Sequence, residues 1–152
     1  MRIKLLLAAT IAIVGLGLSA CNKKTDLAPS SIFTFKLDTI SYHSNSTEGY
    51  LTDTIEAGKK TLVVDGVTNN FGYHMELMVT FPDSIRVGSY EAGAEMTLMD
   101  IQQKAVGYVS KTIKINITSI NSKHAEGNFS GVLTNGDIEK PLTDGTFKVE
   151  IY

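Results

Sequence analysis

The amino-acid sequence predicts an all-β fold, an antiparallel β-sandwich or a partly open barrel of about eight to ten strands. Three observations predict it. Apolar and polar residues alternate with period two over long stretches, the pattern of strands with one buried and one wet face. Turn dipeptides punctuate the chain at short intervals: Asp65-Gly66, Asn69-Asn70, Pro82-Asp83, Asn135-Gly136 and Asp144-Gly145. No segment carries a dominant helical period.

The strands follow in order. Residues 32–37, 50–55, 61–64 and 73–81 read as the first four. In the last of these Met75, Leu77, Val79 and Phe81 face inward, opposite a polar stripe of His74, Glu76 and Thr80. Pro82-Asp83 ends that strand, because proline cannot continue a ladder. Residues 87–90 form a short strand. The stretch 91–105 has the Ala, Glu, Met, Gln and Lys content of a helix, but Met96 and Leu98 alternate with polar neighbours. Two short strands joined near residues 100–103 are therefore the expectation.

The cleanest strand is 111–120, where Ile113, Ile115 and Ile117 point one way and Thr112, Lys114, Asn116 and Thr118 the other. Residues 125–134 alternate through Gly127, Phe129, Gly131 and Leu133, then meet the hairpin signal Asn135-Gly136. Residues 138–142 lead to Asp144-Gly145, read as a tight turn, and 146–152 bury Phe147, Val149 and Ile151. Gly127 and Gly131 leave room beside Phe129 for an aromatic neighbour or a close backbone. Residues 41–46 and 121–127, which hold His43 and His124, read as solvated connectors.

The chain has 152 residues, and its N-terminus reads as an export leader. Arg2 and Lys4 form a positive start, residues 5–18 an apolar run, and Ser19-Ala20 a small-residue site before Cys21, the only cysteine. The run is shorter than the roughly 20 apolar residues of a membrane-spanning helix. The expected organisation is a leader over 1–20, an attachment residue and flexible tether over 21–31, and one β domain over 32–152. The polar tether contains Pro29 and lacks any apolar period. Loss of Arg2 and Lys4 with the leader takes the formal net charge from −2 to about −4. That balance gives no bias toward nucleic acid.

Leu18-Ser19-Ala20-Cys21 resembles the bacterial lipobox. The later words Val87-Gly88-Ser89-Tyr90, Glu126-Gly127-Asn128-Phe129-Ser130-Gly131 and Leu142-Thr143-Asp144-Gly145-Thr146-Phe147 are similar to those of small all-β lipoproteins of Bacteroidota. The resemblance covers the N-terminal plan and roughly residues 80–152. Lys36-Leu37-Asp38-Thr39 departs from it, lacking the glycine usual in the first hairpin. The resemblance implies lipidation of Cys21 through a diacylglyceryl thioether, with palmitate-like acyl chains, and a lipid-anchored place in the cell envelope, at the outer membrane. Residues 22–26 lack the adjacent acidic pair that resembles a surface-export signal, which favours the periplasmic face. No established activity comes with the resemblance.

The chemistry-bearing residues are sparse. His74 and Glu76 share a strand face and are candidates for two metal ligands; a solvent-facing stripe is the simpler reading. Asp65, Asp137 and Asp144 sit at turns, where they suit backbone geometry and are also possible Ca²⁺ ligands. No serine lies in a Gly-x-Ser-x-Gly elbow, and no glycine loop suits a phosphate. Asp38-Thr39-Ile40, Asp53-Thr54-Ile55 and Asp83-Ser84-Ile85 resemble the acceptor of Bacteroidota envelope O-glycosylation, which makes Thr39, Thr54 and Ser84 candidate acceptors. Ordinary strand-edge turn chemistry accounts for the same residues equally well. The chain has no tryptophan, and Tyr42, Tyr50, Tyr73, Tyr90, Tyr108 and Tyr152 suit either sugar stacking or strand packing.

The functional expectation is a non-catalytic envelope lipoprotein, an interaction or accessory binding domain. Its partners are the membrane, through the anchor, and an envelope protein or oligosaccharide; no cofactor and no nucleic acid is expected. The alternatives are a small enzyme or ligand carrier with a barrel cavity near His74 and Glu76, and a structural envelope component or inhibitor.

Overall fold

The computed structural model describes residues 31–44 and 46–152. The leader, Cys21 and nearly all of the tether lie outside the described residues. Ten strands make one antiparallel sheet: β1 (Ile32–Leu37), β2 (Ile40–Ser44), β3 (Thr47–Thr52), β4 (Thr61–Val67), β5 (Tyr73–Thr80), β6 (Gly88–Tyr90), β7 (Ala94–Asp100), β8 (Ala105–Ile120), β9 (His124–Asn135) and β10 (Ile138–Glu150). The described residues contain no helix. The order is β2-β1-β10-β9-β8-β7-β5-β4-β3, with β6 also on β8.

The sheet curls until it nearly closes. β2 pairs with β1 and β3 with β4. The remaining edges meet their neighbours across the seam: the Asn69 N–H donates to the His43 carbonyl at 2.7 Å, and the Tyr152 N–H to the Gly49 carbonyl at 3.2 Å. β6 and β7 are likewise successive lengths of chain along β8. The result is an up-and-down barrel with eight strand positions: β1, β2 with β3, β4, β5, β6 with β7, β8, β9 and β10. At that size the interior is just wide enough for side chains to fill, and they fill it. Phe33, Phe35, Leu62, Val64, Met75, Leu77, Met96, Leu98, Ile115, Ile117, Phe129, Leu133, Leu142, Phe147 and Val149 are all buried.

The alternation that predicts the strands is therefore the alternation of barrel interior and exterior. Residues 91–105 form the strand β7, a turn and the start of β8, as two strands rather than a helix. Gly127 answers the need for room: a Cβ there would come within 2.7 Å of the Phe147 ring and 2.6 Å of the Asn116 carbonyl. Asn135 pairs with Ile138 across the expected tight hairpin.

Four local expectations are corrected. Residues 40–44 form β2 rather than a connector, because Tyr42 and Ser44 pair with Phe35 and Phe33 and are buried. Asp65-Gly66 continues β4 instead of turning, and the ring of Phe33 packs where a Gly66 side chain would stand. Asp144-Gly145 is a bulge inside one long β10, with the positive φ of 54° on Asp144 rather than on the glycine. His124 is the first residue of β9 and not part of a loop.

The strand directions define two poles. The chain enters at one, where Ile32 pairs with Lys148 and the Glu150 N–H donates to Ser31 Oγ at 2.9 Å. The turns at residues 38–39, 68–72, 101–104 and 136–137 crown the other.

Candidate functional site

The far pole is the barrel's mouth, and its inward-facing residues differ from the layers below. Tyr42 follows the buried register of β2, Tyr73 heads the inward row of β5, and Tyr108 pairs with the fully buried Leu98. Their rings form a chain, Tyr42 to Tyr73 at 6.0 Å and Tyr73 to Tyr108 at 6.1 Å, both edge-to-face at 73°. That geometry sets each positive ring edge against a negative face. Phe35 stacks under Tyr42 at 5.1 Å and joins this layer to the core.

Lys140 completes the mouth. It stands opposite buried Leu133 and two residues before buried Leu142, so the β10 register turns it inward. Its Nζ lies 5.1 Å from the centroid of the Tyr108 ring, within cation–π range. Among the described residues it makes no ion pair, whereas Lys36, Lys60, Lys111, Lys114 and Lys148 each do. Burial first pushes the Tyr42 and Tyr73 hydroxyls above their usual range, and Lys140 opposes the shift in both. Lys140 is itself held charged to higher pH, first by the neighbouring Tyr108. The tyrosine rings and one cation thus converge at the mouth. Asp100, which raises Tyr73, has its Oδ1 accepting the Gln102 and Gln103 amides at 2.9 and 2.8 Å.

Beside the mouth, a cleft of about 460 Å³ opens at the seam between β2 and the turn after β4. It is lined by His43, Ser44, Ser46, Val67, Thr68, Asn69 and the exposed Phe71.

The sequence candidates fall elsewhere. His74 and Glu76 lie on the outer wall of β5, not toward the interior, and His74 is engaged by Asp65 of β4, Nε2 to Oδ1 at 2.6 Å. Glu76 stands directly across from Asp65 in the ladder. Among the described residues no group of three or more His, Cys, Asp or Glu side chains is placed to hold a metal ion. Asp144 pairs with Lys36 at 2.9 Å, and Asp137 occupies the exposed β9–β10 turn.

Thr39, Thr54 and Ser84 are all exposed and all outside the strands. Thr54 and Ser84 flank the pole where the chain enters, and Thr39 the mouth. The Thr54 hydroxyl shares a 2.8 Å hydrogen bond with that of Thr52. His124 bonds Ser119 and Asn121 within the β8–β9 connection. Of the sequence candidates the structure brings together His74, Asp65 and Glu76, and it leaves Thr39, Thr54, Ser84 and His124 apart from them.

Lys140 is the residue that sequence reasoning passed over. Its signal was there: a lysine two residues before Leu142 interrupts an inward row that is otherwise apolar.

The fold and mouth define an up-and-down β-barrel with a filled interior and an aromatic, cationic rim. No protein-family model, no curated protein and no solved structure matches the chain, so its own geometry carries the functional reading.

Proposed function

We propose that the chain is a lipid-anchored cell-envelope protein whose barrel is a non-catalytic binding domain. Residues 1–20 direct export, Cys21 carries the lipid, and 21–31 tether the domain. Each buried acyl CH₂ contributes roughly 0.8 kcal/mol, so two or three chains hold the protein at a membrane where one does not. The outer membrane, with the domain facing the periplasm, is the location that fits residues 18–26. An envelope oligosaccharide or protein is the partner class.

One observation carries this reading. The chain enters at the Ser31 and Lys148 pole, while Tyr42, Tyr73, Tyr108 and Lys140 line the opposite one. A tether at the first pole holds the second away from the membrane, toward a partner. The filled core supports recognition at the surface, since a carrier requires an internal cavity.

Substituting Cys21→Ser tests the anchor: the protein is expected to move from the membrane fraction to the soluble one, and retention in the membrane overturns it. Binding to an envelope-glycan array or an isolated envelope fraction tests the domain. Loss of binding in Tyr73→Ala with the fold retained supports the mouth. The exposure of Thr39, Thr54 and Ser84 also makes them available for O-glycosylation; an intact mass equal to lipid plus polypeptide alone, from the native host, ends that proposal.

A further inference from the structure

We propose that the mouth binds the anionic end-group of its ligand, a carboxylate or phosphate, against Lys140 and the hydroxyls of Tyr42, Tyr73 and Tyr108. The inference rests on the mouth being the binding end and adds the chemistry of what it takes.

The argument begins with an anomaly in the barrel's inward register. Below the tyrosine layer that register is almost wholly apolar or small, from Phe33 to Val149. A leucine at position 140 would extend it without placing an ammonium group among aromatic rings. Lys140 stands at the rim and is only partly covered, so its ammonium stays open to solvent and to a ligand. Elsewhere the lysines that meet a carboxylate do so on the outer wall, as Lys148 does with Glu126 at 3.1 Å, or in the β3–β4 connection, as Lys60 does with Asp53 at 2.9 Å. Lys140 faces phenols instead. Among the described residues Asp100 makes no ion pair with it, and its Oδ1 accepts the turn amides of Gln102 and Gln103.

Three phenols and an ammonium offer hydroxyl and N–H donors from four different strands, β2, β5, β8 and β10. Donors converging from a rigid frame suit an oxyanion, and hydrogen bonds to ionised oxygens are roughly twice as strong as neutral ones. The floor limits how far a ligand enters. Met75 and Leu142, the next inward residues of β5 and β10 after Tyr73 and Lys140, are fully buried. A long acyl chain has no room below them. The mouth therefore reads a charged terminus while the ligand's body stays outside, against exposed groups such as Phe71 and Ile138.

Tyrosine fluorescence of the detergent-solubilised full chain is a direct readout, since the sequence has no tryptophan to mask it. The probes are methyl β-D-glucuronide, glucose 6-phosphate and the neutral methyl β-D-glucoside. Saturable quenching by either charged sugar and none by the glucoside is expected; which of the two binds tells carboxylate from phosphate. Lys140→Met should weaken that binding about tenfold or more, while Lys148→Met on the outer wall leaves it unchanged. Equal binding of all three sugars, persistence in Lys140→Met, or no quenching by either anion each overturns the anion assignment. The mouth as binding end is judged separately: it falls only if the envelope glycan or fraction still binds folded Tyr73→Ala.

Discussion

The two walls of the barrel enclose one core but are finished differently outside. On the wall made by β8, β9, β10 and β1, opposite charges meet across strands: Lys111 with Glu139, Lys148 with Glu126 at 3.1 Å and Lys36 with Asp144 at 2.9 Å. Thr34 and Thr146, direct partners, share a 2.7 Å hydrogen bond. On the wall made by β3, β4 and β5, three acids stand in a row, Glu48 opposite Asp65 opposite Glu76. The row beside it is Tyr50, Val63 and Met78, with Val63 fully buried. Among the described residues only His74 meets this acid row, at Asp65.

Cross-strand pairs stabilise a sheet when unlike and destabilise it when like. The first wall is thus locally consistent, and its register is reinforced from outside as well as inside. The second holds its register through the interior and through apolar cover on its exterior, against its charges. Sites that violate local rules are where function is to be sought, and the mouth draws Tyr73 from one wall and Lys140 from the other.

If the walls differ only outside, matched core deletions should cost alike. Phe129→Ala, behind the paired wall, should destabilise by about 3–5 kcal/mol, and Leu77→Ala, behind the acidic one, by about 2–5 kcal/mol. Urea denaturation measures both. A Leu77→Ala cost well below that range would mean the acidic wall is loosely packed and the comparison reaches into the core.

The same pair of walls explains what was legible in the sequence. Strand β8 announces itself through Ile113, Ile115 and Ile117 because a regular wall repeats one chemistry at every second residue. β2 does not, since Ser44 and Tyr42 are buried polar residues and resemble loop composition. Asp65-Gly66 and Asp144-Gly145 have turn chemistry, but a packed Phe33 ring and a bulge claim them; neither demand is local in sequence. The mouth was legible as single tyrosines and never as a group. Its members come from strands far apart in the chain, and only closure of the sheet makes them neighbours.

Smaller effects sharpen the contrast. Thr47 of β3 buries a hydroxyl that has no hydrogen-bond partner among the described residues. Thr47→Val should therefore raise stability by about 1 kcal/mol, a gain that a partnered buried hydroxyl such as that of Thr61, bonded to Thr80 at 2.9 Å, would not return. Outside, Glu76→Lys should stabilise by up to about 1 kcal/mol at low salt, by turning a like pair into an unlike one. Glu126→Lys on the opposite wall should lose a similar amount. Both differences should shrink as salt is added, because screening acts over about 10 Å at 0.1 M. Equal signs for the two reversals would erase the distinction between walls.

The finest test lies where the walls meet. Burial is the first cause raising both Tyr42 and Tyr73, and Lys140 lowers each, while Asp100 raises Tyr73. A hydroxyl whose folded value exceeds its unfolded 10.0 favours the folded state fully below pH 10 and loses that contribution as pH rises through the folded value. The domain should therefore weaken on the alkaline side, and Tyr73→Phe should flatten that decline. Phenolate absorbance resolves the charges behind it. Lys140→Met removes the lowering influence, so the Tyr42 and Tyr73 titrations should move further up. Asp100→Asn removes a raising influence on Tyr73, which should move down while Tyr42 stays. Opposite shifts from the two substitutions would show that the cation of β10 and the acid of β7 act on one cluster of phenols; no shift from either would mean that burial alone governs the mouth.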